Sequence, residues 1–318
     1  MYNKKILIIG GSGSLGSKLI NKLIDNNTIM NISRDEEKQW ILKNSINSPN
    51  LSQINGDIYD YDELKYHIYN FNPNIIVFAA ALKHIENCEK QIDKCIKINY
   101  TSINIMINDI KINRNNYSNL EAFIFVSTDK ACLPITVYGY SKATTEKLIQ
   151  TTYIDNIRFI AVRYGNVLNS SGSILPLLHS IGKDNNKSNF TLTDKRMTRF
   201  IITLEESVKL IEYAIENGKN NEIIVPYLKS CRIVDLIDIF SKIYNKPVVV
   251  NGVRCIEKYH EDLISSYEIS YTYNNMNKYI HISSTPQLEK NNQYAFSSEN
   301  SIIPQEELKD FLESKKYI

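Results

Sequence analysis

Tyr138 and Lys142 stand four residues apart, as Y-x-x-x-K, where a helix is expected to start near Gly139 and run past Leu148 and Ile149. Residues i and i+4 share one face of a helix. A lysine so placed can hold the ribose beside a nicotinamide ring and draw the tyrosine pKa down from about 10, and the cationic ring acts in the same direction. The phenol then takes a hydroxyl proton as hydride leaves the same carbon. The spacing alone is weak, because with 21 Tyr in the chain about two copies arise by chance. Tyr61 and Lys65 also match, and they read as a solvated helix face. Position separates the two pairs. Just before Tyr138, the apolar run Phe123-Ile124-Phe125-Val126 ends in Ser127-Thr128-Asp129-Lys130, four polar or ionisable residues at the end of a buried strand.

A second set of residues suits a dinucleotide. Ile6-Leu7-Ile8-Ile9-Gly10-Gly11-Ser12-Gly13-Ser14-Leu15-Gly16 places a strand, a glycine-rich turn and a helix start within sixteen residues. Gly10, Gly13 and Gly16 fit G-x-x-G-x-x-G; Gly11, Gly13 and Gly16 also fit G-x-G-x-x-G. Such glycines let the backbone turn tightly and approach a pyrophosphate lying on the helix N-terminus. Ser33-Arg34-Asp35-Glu36 follows the second strand, with Lys38 one turn on. Asp35 can be read as the acid that binds the ribose hydroxyls of NAD. Ser33 and Arg34 come first, however, and offer a hydroxyl and a guanidinium to a 2′-phosphate, which favours NADP. Gly56-Asp57-Ile58 closes another strand-like segment, where Asp57 can accept from the adenine amino group.

These groups need a scaffold. Lys5–Ile9, Ile29–Ile32, Ile75–Ala80, Ala122–Val126 and Arg158–Val162 read as buried strands, and apolar residues at helical spacing lie between them. Strand–helix–strand alternation implies a parallel sheet covered on both faces, with ligands outside the carboxyl ends of its strands. The expected fold is α/β: a Rossmann-type doubly wound parallel sheet with a smaller C-terminal substrate-binding lobe. Residues 1–167, completed by about 201–226 and 230–250, form the cofactor domain; residues 168–200 and 251–318 form the small lobe. Leu204–Ile215 and Val234–Ile243 read as helices, and Glu222–Val225 and Pro247–Val250 as strands.

Composition narrows the function classes. The 318 residues carry 37 Lys+Arg against 35 Asp+Glu and 43% hydrophobic residues, a globular balance with no electrostatic footprint of nucleic-acid or membrane binding. Heavy use of Asn, Ile, Lys and Tyr speaks of AT-rich coding rather than chemistry. The five cysteines, Cys88, Cys95, Cys132, Cys231 and Cys255, make no C-x-x-C pair, and no Cys/His cluster has zinc spacing, so no metal is expected. Scattered thiols, no signal-peptide core and no apolar run longer than Ile75–Leu82 point to the cytoplasm, or to a host cytoplasm if the source is viral.

The chain resembles the extended short-chain dehydrogenase/reductases, and within them the inverting UDP-N-acetylglucosamine 4,6-dehydratases. The resemblance rests on Ile9–Gly16, Ser33–Gln39, Ala79-Ala80-Ala81-Leu82-Lys83-His84, Ser127–Ala131, Arg163-Tyr164-Gly165-Asn166-Val167, Met197-Thr198-Arg199-Phe200 and Arg254 to Glu261. It implies a tightly bound NADP recycled within each turnover. Oxidation at C4 of the sugar makes a ketone that acidifies the C5 proton. Lys130, partly neutral through burial, is then expected to take that proton, while Asp129, partly protonated, helps the C6 hydroxyl leave; their titrations are coupled. Related retaining dehydratases carry Thr-Asp-Glu, so Lys130 is associated with proton return from the opposite face and an L-arabino 4-keto product.

The same resemblance assigns Gly10, Ser12, Gly13, Ser14, Leu15 and Gly16 to the cofactor. Ser33, Arg34, Lys38, Asp57, Ile58, Ala79, Ala80, Lys83 and Asn99 join them, with Thr128, Tyr138 and Lys142 at the reacting end. Lys83, Asn166, Val167, Ser173, Pro176, Thr191 and Thr193 are assigned to the UDP-sugar. Arg199 and Arg254 are expected on its diphosphate, as forked donors, and Glu257 on a ribose hydroxyl. His84 and His260 read as structural. Phe78 stands where the family often has His, and Cys255-Ile256 replaces a usual Pro-Gly. A homo-oligomer, dimer or hexamer, is implied. The competing readings are a retaining dehydratase or C4 epimerase, and a non-catalytic NADP-binding module, which would need none of Asp129, Lys130, Tyr138 and Lys142 together.

Overall fold

The computed structural model describes residues 1–252, 256–275, 278–287 and 295–318. Five short apolar runs and one more polar one become the parallel strands β1 (Lys5–Ile9), β2 (Thr28–Ser33), β3 (Leu51–Asn55), β4 (Ile75–Phe78), β5 (Ala122–Val126) and β6 (Arg158–Val162). They lie in the order β3-β2-β1-β4-β5-β6, and Glu222–Pro226 continues the parallel sheet beyond β6. The chain builds outward from β1 in both directions, so β1 and β4 diverge at the switch point where α/β sheets bind ligands. A hairpin, Thr272–Asn275 with Tyr279–Ile282, adds two antiparallel strands at the Glu222–Pro226 edge.

The alternating residues of each strand feed two separate cores. Leu7, Ile9, Phe78, Phe123, Phe125 and Phe159 face Ile103, Met106, Ile107 and Ile110 from the Ser102–Ile112 helix. Ile6, Ile8, Ile75, Val77 and Ile124 face Leu19, Ile20 and Leu23 of one helix and Val208, Leu210, Ile211 and Ala214 of another. Phe78 belongs to the first core, fully buried, with its ring stacked 6.4 Å from Phe123, which stacks 5.8 Å from Phe159. Its departure from the family pattern is thus a matter of packing behind the site.

A third core gathers the small lobe: Leu175, Leu178, Phe190, Leu192, Leu236, Phe240, Leu308 and Leu312. The Ile233–Tyr244 helix packs here, away from the main sheet, and Val248–Val250 pairs with Phe190–Leu192. Conversely the hairpin, which lies in the tail expected to be wholly small lobe, joins the main sheet. Tyr61 also departs from expectation. The helix Tyr61–Phe71 buries Tyr61, Leu64, Ile68 and Phe71, so Tyr61 lies on its apolar face; its hydroxyl donates to Asp109 (2.7 Å), as do those of Tyr117 and Tyr69. Lys65 pairs with exposed Asp62. No helix among the described residues is long and apolar enough to cross a membrane.

Candidate active site

The carboxyl ends of β1 and β4 meet at the glycine loop. Gly10 has φ +89°, and a side chain there would fall 2.7 Å from the Ala80 amide; one at Gly16 would fall 2.5 Å from the Gly10 carbonyl. The loop therefore folds back on itself and on Ala79-Ala80, leading into the Ser14–Leu23 helix, whose N-cap, Gly13, makes no side-chain cap. Such a cradle with free backbone N–H groups fits a pyrophosphate. Ser14 and Lys83 reach across it. Ser14 Oγ accepts from the Ser171 amide (3.0 Å) and Lys83 Nζ donates to the Ser171 carbonyl (2.7 Å), so the 170–172 loop closes over the cradle. Partial burial there lowers the Lys83 pKa.

At the adenosine end, Asp35 caps the Glu36–Ile46 helix. Its carboxylate accepts from the Lys38 amide (3.0 Å) and from Lys38 Nζ (2.6 Å), and those bonds depress its pKa. Asp35 is thus occupied by its own helix, while Arg34 stays exposed beside Asp57, at 3.3 Å, at the end of the β2–β3 pair. Ser33 Oγ accepts from Asn31 and Gln39, and Ile58 is buried. Arg34, Lys38 and Ser33 thus supply two cations and a hydroxyl at this end.

Asn99, expected at the cofactor, is held by the protein. It is fully buried in a wide π-turn within the helical stretch from Ile92 to Ile112. Its Oδ1 accepts from the Leu82 amide (2.8 Å) and its Nδ2 donates to the Leu82 carbonyl (3.0 Å) and Ser141 Oγ (3.1 Å). Both ends of the amide are spent on protein. Asn99 therefore ties the segment after β4 to the Val137–Thr151 helix.

The reacting end is built by a one-turn helix and a longer one. Past the end of β5, Ser127 N donates to Val162 O and Asp129 N to Tyr164 O (2.7 and 2.9 Å), which extends the β5–β6 pairing and fixes the turn. Thr128 caps Asp129–Ala131, and Thr136 caps Val137–Thr151 by accepting from the Gly139 amide (3.0 Å). A side chain on Gly139 would stand 2.4 Å from Lys130 O, so glycine lets the second helix start directly against the turn. Tyr138 and Asp129 are buried and Lys130 nearly so.

Lys130 Nζ donates to Asp129 Oδ1 (3.1 Å) and Asn166 Oδ1 (3.3 Å), and Glu261 Oε1 is 3.5 Å away. Burial alone would push the ammonium toward neutrality, but Asp129 and Glu261 outweigh it and raise its pKa. The expectation of a partly neutral Lys130 is therefore corrected. A second correction concerns Tyr138. Burial raises its pKa; the cation that opposes this is Lys130, helped by a hydrogen bond with Thr128, and Asp129 adds to the rise. Lys142 points its Nζ at the Val126 carbonyl (2.8 Å), 4.4 Å above the Phe125 ring, and burial draws its pKa down to about 7. These couplings bring Tyr138, Thr128, Asp129 and Lys130 together. Glu261 was not singled out from the sequence, where it is one acid among 35.

The substrate-side residues divide. Asn166-Val167 pairs with the Thr198–Ile202 strand beside Lys130. Ser173 opens the Ile174–Lys183 helix, with Pro176 in its first turn. Thr191 is exposed on the strand Phe190–Leu192, and Thr193 is half-buried just past it. Arg199 donates to backbone carbonyls, Nη1 to Thr198 O and Tyr259 O (2.7 and 3.1 Å) and Nη2 to Lys258 O (3.0 Å), and so anchors the 258–261 segment. Arg254 and Cys255 lie outside the described residues. Buried polar atoms that accept or donate no hydrogen bond include Ser127 Oγ, Asp129 Oδ2, Ser173 Oγ, Glu257 Oε2 and Glu261 Oε2. Such groups are costly unless something satisfies them, and a hydroxyl-rich ligand would do so.

Residues 6–284 match the polysaccharide biosynthesis protein family. A UDP-N-acetylglucosamine 4,6-dehydratase (inverting) of Campylobacter jejuni is 33% identical, over 94% of this chain and 89% of its own. A protein of Rickettsia bellii named UDP-glucose 4-epimerase is also 33% identical, over 84% of this chain and 80% of its own. The crystal structure of Pen from Bacillus thuringiensis superposes with a TM-score of 0.90 at 25% identity, covering 100% of this chain and 99% of that one.

Proposed function

Because the chain belongs to the polysaccharide biosynthesis protein family of extended short-chain dehydrogenase/reductases, we propose that it is an NADP-dependent, C5-inverting UDP-GlcNAc 4,6-dehydratase. Its product is then UDP-2-acetamido-2,6-dideoxy-β-L-arabino-hex-4-ulose. One observation carries the reading: a buried Asp129–Lys130 pair, with Asp129 Oδ2 unspent, is coupled to Tyr138.

The glycine cradle, Lys83, Arg34 and Lys38 would hold the dinucleotide, which supplies hydride acceptance at C4 and hydride return at C6. The protein's share is proton movement. Tyr138 takes the C4 hydroxyl proton, assisted by the Lys130 charge. Asp129 and Lys130 then move the protons that C5 loses and regains as the C6 hydroxyl departs, in a site dry enough for both to act at close range. A 4-epimerase, the name borne by the Rickettsia relatives, needs the tyrosine but no acid/base pair for C5 and C6. The buried pair favours dehydration.

Incubation with NADP and UDP-GlcNAc, read by mass spectrometry, tests this. Loss of one water supports the reading. Unchanged mass with a new isomer points to an epimerase, and unchanged mass without one points to a binding module. Proton couplings at C5 that give the D-xylo product overturn the inversion. Lys130→Ala and Asp129→Asn are expected to abolish dehydration with NADP affinity kept; retained turnover in either removes its role. UDP-glucose turned over as fast as UDP-GlcNAc would remove the acetamido requirement.

A further inference from the structure

Lys130 faces two carboxylates, and only Asp129 lies in its own turn. Glu261 arrives from the far end of the chain, just before the Asp262–Ile264 strand. Its backbone is fixed from both sides: its amide donates to Ser298 Oγ (2.9 Å) and its carbonyl accepts from the Ser298 amide (2.8 Å). Its side chain is 5% exposed. Three cations surround it: Lys130 at 3.5 Å, Lys258 at 3.7 Å and Arg199 at 3.9 Å. None is at hydrogen-bonding length for an N–H donor, and Oε2 accepts no hydrogen bond. Lys258 and Arg199 are already committed to backbone carbonyls, Lys258 to Cys132 (2.7 Å) and Arg199 to residues 198, 258 and 259. Glu261 therefore contributes charge, and Lys130 is the nearest recipient.

We propose that Glu261 is a positioning residue that keeps Lys130 an ammonium before substrate enters, so that Lys130 gives a proton to C5 and Asp129 takes one. The assignment of the sugar atoms rests on the dehydratase reading; the hold on Lys130 does not. The groups facing Lys130 are Asp129 and Tyr138 from the cofactor domain, Asn166, Arg199 from the Thr198–Ile202 strand, and Glu261. Two carboxylates against one guanidinium leave the ammonium favoured despite burial.

The proton ledger then closes. With C4 oxidised, the C5–H bond breaks and its proton goes to Asp129 Oδ2. The electron pair left behind expels the C6 hydroxyl, which leaves as water with the proton that Tyr138 took from the C4 hydroxyl. Once C6 is reduced, by the hydride that a bound dinucleotide would supply, Lys130 gives its proton to C5. Asp129 returns its proton to Lys130, whose Nζ lies 3.1 Å from the other carboxyl oxygen, Oδ1. One water is lost and each side chain regains its starting state.

Competitive acetylation of the full chain over an alkaline pH series, read by mass spectrometry on the Lys130 peptide, measures the hold directly. In the wild type, Lys130 is expected to titrate above exposed Lys22 in the same sample. In Glu261→Gln its midpoint is expected to fall by about one unit or more, a tenfold change in the protonation equilibrium. Glu261→Asp, which keeps the charge, restores at least half of that. The alkaline limb of kcat for water loss from UDP-GlcNAc falls in step, with a smaller change in KM. An unmoved midpoint in Glu261→Gln overturns the proposal, as does a moved midpoint with an unmoved alkaline limb. If Glu261→Gln does not fold, a wild-type Lys130 that titrates below Lys22 overturns it. A wild type that titrates as expected but does not dehydrate UDP-GlcNAc sinks the dehydratase reading and leaves the hold on Lys130 standing.

Discussion

Alanine at position 139 separates the two elements that the chemistry needs together. A methyl group there would stand 2.4 Å from Lys130 O and 3.1 Å from Pro134 Cβ. Ordinary carbon contacts lie near 3.5 Å, so the helix start must retreat by about 1 Å. Neither side yields easily. Lys130 O is backbone in a turn fixed through Asp129 N to Tyr164 O, and the helix start is fixed by Thr136 Oγ1 and by Glu89, which accepts from the Val137 amide (2.8 Å). Overpacking of this kind costs about 1–3 kcal/mol. Replacing a helical glycine by alanine returns about 1 kcal/mol. The net loss is about 0–2 kcal/mol, too small to unfold a typical domain. Tyr138, next in the chain, moves with the helix while Asp129 and Lys130 stay. A misplacement of about 1 Å costs on the order of 100-fold in rate. The expected outcome for Gly139→Ala is a folded protein with kcat for water loss down about 100-fold and NADP affinity within about twofold of wild type. The assays are thermal unfolding, NADP titration and mass-spectrometric turnover. A variant with wild-type kcat refutes the claim that this close approach sets the catalytic geometry.

Arg34→Ala is expected to weaken NADP by about 10–100-fold, the worth of one charge-assisted hydrogen bond, and to leave NAD affinity nearly unchanged; equal losses for both cofactors would move the 2′-phosphate elsewhere. Arg163 joins Glu146 (2.6 Å) and Glu268 (2.8 Å) in a buried triple linking the end of β6, the Val137–Thr151 helix and the turn at Ser265–Glu268. Arg163→Met leaves two uncompensated carboxylates and is expected to cost about 3–5 kcal/mol in urea unfolding. The same triple sets an acid limit. Burial alone would raise the Glu268 pKa, but Arg163 and the Ser265 amide and hydroxyl hold it at about 2. A carboxyl lowered in the folded state stabilises above its unfolded value and loses that contribution as the pH falls through the folded one. Stability is therefore expected to drop between about pH 4.5 and 2, and Arg163→Met to flatten that dependence; equal slopes in both proteins would rule Glu268 out.

Most of the sheet was readable because its strands announce themselves. Ile6–Ile9 and Phe123–Val126 are unbroken apolar runs, as strands buried on both faces must be. Val248–Val250 is equally apolar yet lies outside the main sheet, paired with Phe190–Leu192. Periodicity states that a segment is buried, not against what. The hairpin Thr272–Ile282 was hidden for the opposite reason. Its Tyr-Asn-rich stretch reads as polar, and its anchor is a buried network in which His281 Nδ1 lies 2.9 Å from Glu222 and Tyr213 lies 2.9 Å from His281. Such pairings over long separations leave no local pattern.

The site follows the same division, with a consequence for mechanism. Gly10 to Gly16, Asp129-Lys130 and Tyr138–Lys142 are local words whose spacing carries their geometry, and each is legible in the sequence. Charge states are not local. From the sequence, burial alone suggested a neutral Lys130 and a Lys142 that tunes Tyr138. In the structure Glu261 enters from 131 positions away, reverses the first expectation, and lets Lys130 take over the second role. Lys142, which among the described residues meets no carboxylate at contact distance, is pushed down by burial, to about 7. A lysine that burial pushes down and a lysine held charged between two acids are different reagents, although both began as a buried Lys on one short stretch. Glu261, and not the short stretch itself, makes that difference, and it comes from a segment that no local pattern ties to Lys130.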